Sequence, residues 1–303
     1  MPPETHSEHP APHPGTEVSF EFFPPKTDRA EETLLQTADE LGRLRPRFMT
    51  MTYGAGGTTR DRSISAAASL ARRTDVPIAG HLTCVGAARQ DVDDVARQYL
   101  SAGIRHIVAL RGDPPVPGTP FEPHPEGYRN AAELVAGLTR IAPFDISVAA
   151  YPEVHPEARN AQSDLDNLKA KLDAGATRAI TQFFFDPDIF LRFRDKAAAH
   201  GITAEIVPGI LPVSGIAQAY KFAAMCGAHI PDTVRNLFDG LDDHPETRSL
   251  VTTAFAAMMC RRLQNHGVRS FHFYTLNRPA QSAALCRLLG IKTRPSCETG
   301  SES

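Results

Sequence analysis

Short runs rich in β-branched and aromatic residues alternate along the chain with longer stretches whose apolar positions recur at helical spacing, the pattern of consecutive parallel βα units. Eight strands are predicted: Val18 to Phe23, Arg47 to Tyr53, Pro77 to Thr83, His106 to Arg111, Asp145 to Tyr151, Arg178 to Phe184, Ala204 to Val207 and Ser270 to Leu276. Helical sequence separates them all. Gly42, Gly103, Gly175, Gly201 and Gly267 stand ahead of strands, where a left-handed residue lets a helix stop before the chain extends. "AGIRHI", "AGATRAI" and "HGVRSF" are thus one structural event repeated. The seventh unit breaks the rhythm. Pro231 divides a helix ending near Ala228 from helical sequence running on to His266, so two or three helices are expected there.

Eight such units can close into a barrel or open into a doubly wound sheet. A doubly wound nucleotide binder carries a G-x-G-x-x-G turn after its first strand, whereas this first strand runs into "FEFFPPKT", with two prolines and no glycine. The expected fold class is therefore α/β, a single (β/α)8 TIM barrel with extra helices in the seventh unit, and 303 residues suit one such domain. The barrel is expected over residues 17–292, between disordered tails at 1–16 and 293–303. His6, His9 and His13 in the first tail resemble a metal-ligand set, but Pro10, Pro12 and Pro14 prevent the helix that would align them, so no metal is expected.

The formal net charge is -3 with both signs interspersed, which offers no sustained positive field for nucleic acid or an anionic membrane. No run reaches the roughly 18 apolar residues of a membrane span. Cys84, Cys226, Cys260, Cys286 and Cys297 are odd in number and lack a Cys-x-x-Cys pair, which suits a reducing cytoplasm rather than a disulfide framework or a zinc site. A soluble cytoplasmic protein acting on a small molecule is expected.

In a β/α barrel the chemistry sits at the carboxyl ends of the strands, so polar residues late in strands are the candidates. Glu21 lies among Phe20, Phe22 and Phe23, and alternation turns it toward the barrel interior. A carboxylate there is costly unless paired or protonated; it is either a proton donor or an acid tied to a core arginine. "MTMTYGAGGTT" supplies the Thr52 hydroxyl and three glycines, Gly54, Gly56 and Gly57, which permit close approach to a ligand or merely turn the chain. His81 ends the third strand. Arg111, Gly112 and Asp113 leave the fourth as a clamp or a surface turn. After the fifth come Tyr151 and His155, then Asp164, Asn167 and Lys171 at helical spacing, which could seat a phosphate at a helix start or form a solvated face. Gln182, in the sixth strand, is read as a buried amide that either bridges strands or reads the edge of a heterocycle. Arg278, beyond the eighth, caps a helix or meets a substrate carboxylate.

The segments "FEFFPP", "TYGAGGTT", "HLTC", "HIVALRGD", "DISVAAYPEVHPEA", "DAGATRAITQFFFD", "PGILPV", "FDGLDD" and "FHFYTLNR", spread in order from about Val18 to Lys292, resemble methylenetetrahydrofolate reductases throughout. The resemblance implies a barrel that holds FAD without a covalent bond and reduces methylenetetrahydrofolate to methyltetrahydrofolate with NADH or NADPH, in a ping-pong scheme. It implies Glu21 as general acid and Asp113 as the carboxylate beside flavin and pterin. Thr52, Tyr53, Ala55, His81, Arg111, Gly112, Asp113, Ala131, Tyr151, His155, Asp164, Asn167 and Lys171 match cofactor contacts. Asp113, Gln182, Gln218, Phe222 and Arg278 match folate contacts, Phe222 as a stacking ring and Arg278 toward the glutamate tail. Where some members carry a basic residue between Asn167 and Lys171 this chain has Ala170, which removes one possible pyrophosphate partner. A homo-oligomer is implied, and feedback by adenosylmethionine is not. Another flavin barrel similar to proline dehydrogenase, or a non-redox pterin-binding methyltransferase barrel, is the alternative.

Overall fold

The structure, a computed structural model, describes residues 15–53, 60–114, 116, 119–213 and 215–293. Ala55, Gly54, Gly56, Gly57 and the tail histidines lie outside them.

The first half of the chain runs β1 (Glu17–Phe22), α1 (Asp28–Gly42), β2 (Phe48–Met51), α2 (Arg60–Arg73), β3 (Ile78–Thr83), α3 (Arg89–Ser101), β4 (His106–Leu110) and α4 (Ala131–Ile141). It continues with β5 (Asp145–Ala150), α5 (Ala161–Asp173), β6 (Arg178–Thr181), α6 (Pro187–Ala199), β7 (Glu205–Val207) and β8 (Gly209–Ile210). The three helices α7 (Ile216–Cys226), α8 (Asp232–Phe238) and α9 (Pro245–Asn265) follow, then β9 (Ser270–Tyr274) and α10 (Pro279–Leu288). The extra helices of the seventh unit have their own small core, in which Phe183 and Phe185 meet Val213, Val234 and Phe238.

All strand pairs are parallel, in the order β7-β6-β5-β4-β3-β2-β1-β9-β8. The order begins and ends on consecutive strands, which makes a nearly closed barrel. Among the described residues nine strands replace the eight expected, because the seventh divides at Pro208. Pro208 has no N–H to give; its carbonyl accepts from the His272 N–H (3.0 Å), and the chain passes from pairing with β6 to pairing with β9. The Gly209 N–H still reaches back to Thr181 Oγ1 at 2.9 Å. One helix stop also differs from expectation: the left-handed position after α1 is Arg45 (φ 54), not Gly42, while Gly103, Gly175, Gly201 and Gly267 take positive φ.

Pairing Ser19 with Phe48 and Glu21 with Thr50 fixes which residues face inward. Phe20, Phe22, Phe271 and Phe273 point outward and are buried beneath the helices. The interior carries Phe48, Ala79, Val108, Ile180 and Val207 as an apolar cluster. It also holds a polar network. Arg178 donates to Asp145 (2.9 Å) and Ser147 (3.2 Å), and nearer solvent a partly exposed Arg47 bridges Glu17 and Glu205 (3.4 and 2.7 Å). Burial pushes His106 well down, so it sits there neutral.

Candidate active site

A cavity of about 480 Å³ opens at the carboxyl ends of the strands, within the range of small-molecule sites. It is lined by Glu21, Thr52, Tyr53, His81, Arg111, Gly112, Asp113, Ala131, Tyr151, His155, Asp164, Asn167, Lys171 and Gln182, so fourteen sequence candidates from six strand ends meet in one place. Neither the β1 acid nor the α5 cation could form such a site alone.

At its floor Glu21 is 9% exposed, and its Oε2 lies 3.4 Å from both His81 Nε2 and His272 Nε2. Its partners are thus histidines, not the core arginine that the structural alternative required. His272 is fully enclosed and held from its other side, Nδ1 being 2.7 Å from Ser19 Oγ. Among the described residues His81 Nε2 has no aligned hydrogen-bond partner, and Thr50 Oγ1 is likewise buried without one. Burial lowers the His81 pKa against the pull of Glu21, which leaves a neutral imidazole beside the acid.

The outer wall carries charges of both signs, Arg111 and Lys171 among Asp113, Glu157 and Asp164. Lys171 is buried and donates to the Ala149 carbonyl at 2.6 Å. Burial lowers its pKa to about 8, with Arg111 adding to the shift and Asp164 opposing it. Arg111 pairs with Glu157 at 2.6 Å, and its guanidinium lies 4.4 Å from the Phe121 ring centre. Asp164 accepts from the His155 N–H at 2.9 Å, and His155 meets Tyr151 edge-on with centroids 4.5 Å apart. Burial raises the Tyr151 phenol and lowers His155, so both rings are neutral. The α5 N-terminus is a poorer phosphate seat than the sequence suggests. Asn160 and Ser163 form a capping box there, and Asp164 places negative charge in the first turn.

Two chain features shape the opening. Gly112 has φ +87, and a Cβ on it would meet Val85 Cγ1 at 2.5 Å, so only glycine carries the backbone past this point. Gln182 lies just beyond β6 and is half-buried rather than buried. Its Oε1 accepts from the Phe183 N–H (3.2 Å), while its NH2 group has no partner among the described residues.

Three candidates are not brought into this cavity. Gln218 and Phe222 sit on α7, where Phe222 packs on Phe183 with centroids 6.5 Å apart, and Arg278 is an exposed N-cap of α10 whose side chain makes no cap bond. Other lining residues, Asn130, Glu157, Ser163 and Tyr274 among them, are absent from the sequence candidates. For Tyr274 the signal was present: Ser270, His272 and Tyr274 alternate with phenylalanines, which puts all three on the inner face. Among the described residues no group of His, Cys, Asp and Glu is placed to hold a metal, and no helix is long and apolar enough to cross a membrane.

Comparison with known proteins gives a consistent result. Residues 7–290 match the family model described as methylenetetrahydrofolate reductase. Proteins named 5,10-methylenetetrahydrofolate reductase from Pectobacterium carotovorum and Escherichia coli are 53% identical over 275 residues, covering 91% of this chain and 90% and 91% of theirs. Methylenetetrahydrofolate reductase (NADH) 1 of Arabidopsis thaliana is 36% identical over 287 residues, covering 91% of this chain and 48% of that one. Among solved structures, a Clostridium thermocellum protein described as binding two copies of 5-methyl-5,6,7,8-tetrahydrofolic acid superposes with a TM-score of 0.59 at 13% identity, over 91% of this chain and 94% of that one. Dihydropteroate synthase from Stenotrophomonas maltophilia gives 0.51 at 13% identity, over 93% and 95%. At such identities these two establish the shared barrel alone.

Proposed function

The chain belongs to the methylenetetrahydrofolate reductase family, an oxidoreductase family of one-carbon metabolism, and from that premise we propose that it reduces 5,10-methylenetetrahydrofolate to 5-methyltetrahydrofolate with FAD and NADH or NADPH. The observation that carries the reading is one cavity with a histidine-flanked carboxyl at its floor and a buried lysine with an arginine at its wall. The wall fits a dinucleotide. Lys171 sits at a cost that a pyrophosphate beside it would offset, and Arg111, Gly112, Tyr151 and His155 offer a charge, bare backbone and ring edges. Thr52, Tyr53, Ala55, His81, Asp113, Ala131, Asp164 and Asn167 complete the proposed cofactor set.

A bound flavin would supply hydride transfer, from the nicotinamide in one half-reaction and to the folate carbon in the other. Glu21 would act as the general acid toward the folate nitrogen that must leave when the five-membered ring opens. Neutral His81 keeps a fixed cation away from that carboxyl. The spare NH2 of Gln182 and the carboxylate of Asp113 orient the heterocycle, and Gln218, Phe222 and Arg278 serve the rest of the folate from α7 and α10. The 53% identity to proteins named 5,10-methylenetetrahydrofolate reductase supports a folate as substrate. Among the described residues the cysteines Cys84, Cys226, Cys260 and Cys286 are unpaired, which supports a cytoplasmic setting, and the exposed Leu250 and Met258 on α9 support a homo-oligomer.

The test is product formation. Methylenetetrahydrofolate and NADH or NADPH, given to FAD-supplemented protein, should yield methyltetrahydrofolate by liquid chromatography, and Glu21→Gln should slow its formation by at least about a hundredfold. Absence of product with both nicotinamides would overturn the proposal.

A further inference from the structure

Behind the turn 151–154 lies a second cavity of about 260 Å³, between α5 and α6. Its floor is apolar, built from Leu165, Ile189 and Phe193, and Arg192 and Lys196 stand one helical turn apart at its edge. The carboxylates that reach it are already engaged. Glu153 accepts from the His229 N–H at 3.0 and 3.1 Å, and Asp164 accepts from His155. The cations are held more loosely. Arg192 is 3.8 Å from Asp186 without a hydrogen bond between them, and Lys196 forms no ion pair among the described residues. The cavity therefore presents an unpaired lysine and a loosely held arginine at one edge of an apolar surface, with Glu153 and Asp164 on the side of the turn.

The turn that walls it is strained. Val154 has φ 64, a left-handed conformation that a branched Cβ strongly disfavours. Such strain persists only where the surroundings hold it, and it clusters where chains clamp ligands. Here the hold comes from both sides, through Glu153 to the His229 N–H and through the His155 N–H to Asp164.

We propose that this cavity is a second ligand site, taking a small anion with a flat apolar body, an aryl carboxylate or aryl phosphate. The ring lies on Leu165, Ile189 and Phe193, and the charge lies between Arg192 and Lys196. A volume somewhat below the roughly 300–1,000 Å³ of drug-sized sites suits one ring and its acid. Tyr151 and Asp164 line both cavities, so an occupant here fixes a wall of the larger one, and the two sites affect each other's affinity equally. The proposal stands apart from the flavin reading.

Calorimetry and saturation-transfer NMR with p-aminobenzoate and phenyl phosphate, on the full chain, test it. One of the two should bind with unit stoichiometry, and which one binds more tightly distinguishes the carboxylate from the phosphate. Arg192→Gln with Lys196→Gln should weaken binding about tenfold or more at an unchanged melting temperature. Ile189→Trp fills the second cavity and should abolish binding; if that variant melts early, the charge variant decides. No binding of either probe, binding indifferent to the charge variant, or displacement of the probe by FAD in simple competition would overturn the proposal.

Discussion

Lys171→Met should make the cofactor-free protein more stable at neutral pH while weakening its hold on the cofactor. The Lys171 ammonium is buried, and burial lowers its pKa from the ordinary 10.5 to about 8. Above roughly pH 10.5 neither folded nor unfolded chain carries the proton, and there is no cost. As pH falls toward about 8 the unfolded chain takes up a proton that the folded one refuses, so stability declines by up to about 1.4 kcal/mol per pH unit. Below that the whole cost, roughly 3 kcal/mol, remains. Methionine removes it and forfeits the bond to the Ala149 carbonyl, worth about 1 kcal/mol. The expected net gain at pH 7 is about 1–2 kcal/mol. Urea unfolding of both proteins from pH 7 to 10 reads this as a difference, in which the titrations of buried thiols and phenols cancel. A variant less stable than wild type at pH 7, or a difference that does not shrink toward pH 10, would refute the reasoning. An anion that draws the proton onto Lys171 should bind wild type with an affinity flat below about pH 8 and falling above it, a dependence that the variant lacks.

Gly209→Ala places a Cβ against the Thr181 carbonyl oxygen at the barrel seam and should cost about 2–4 kcal/mol in urea titrations. Gly112→Ala combines φ +87 with a 2.5 Å approach to Val85 Cγ1, so it should lose about 2 kcal/mol of stability and also bind FAD more weakly in fluorescence titrations. Burial raises Asp145, but its bonds to Thr177 and Arg178 prevail and hold it below its ordinary range, so it contributes stability above its unfolded pKa that is lost as pH falls through its folded one. Arg178→Met should therefore lower stability at neutral pH and flatten its decline in acid, which melts recorded between about pH 6 and 2 would show.

Much of the frame is legible in the sequence because parallel βα units have a strong double periodicity, and strand ends in a barrel converge. That periodicity alone places Glu21, His81, Arg111 and Lys171 in one mouth. The division at Pro208 is less legible, since a proline between short apolar runs also reads as a simple strand end. Whether Lys171 is buried depends on how α5 lies against β5, which its amphipathic pattern does not set. Tyr274 needed the inner face of β9 to be read as a set, and the second cavity exists only where α5 meets α6. The resemblance assigned Gln218, Phe222 and Arg278 to folate, yet the barrel mouth forms without them.

Anaerobic stopped-flow spectroscopy of the FAD-loaded protein tests the central proposal most directly. NADH or NADPH should bleach the bound flavin, and methylenetetrahydrofolate should then restore its colour; Glu21→Gln should leave the first step intact and slow the second by at least about a hundredfold. Protein that binds no FAD, or flavin reduced by nicotinamide that methylenetetrahydrofolate cannot reoxidise, would contradict the account.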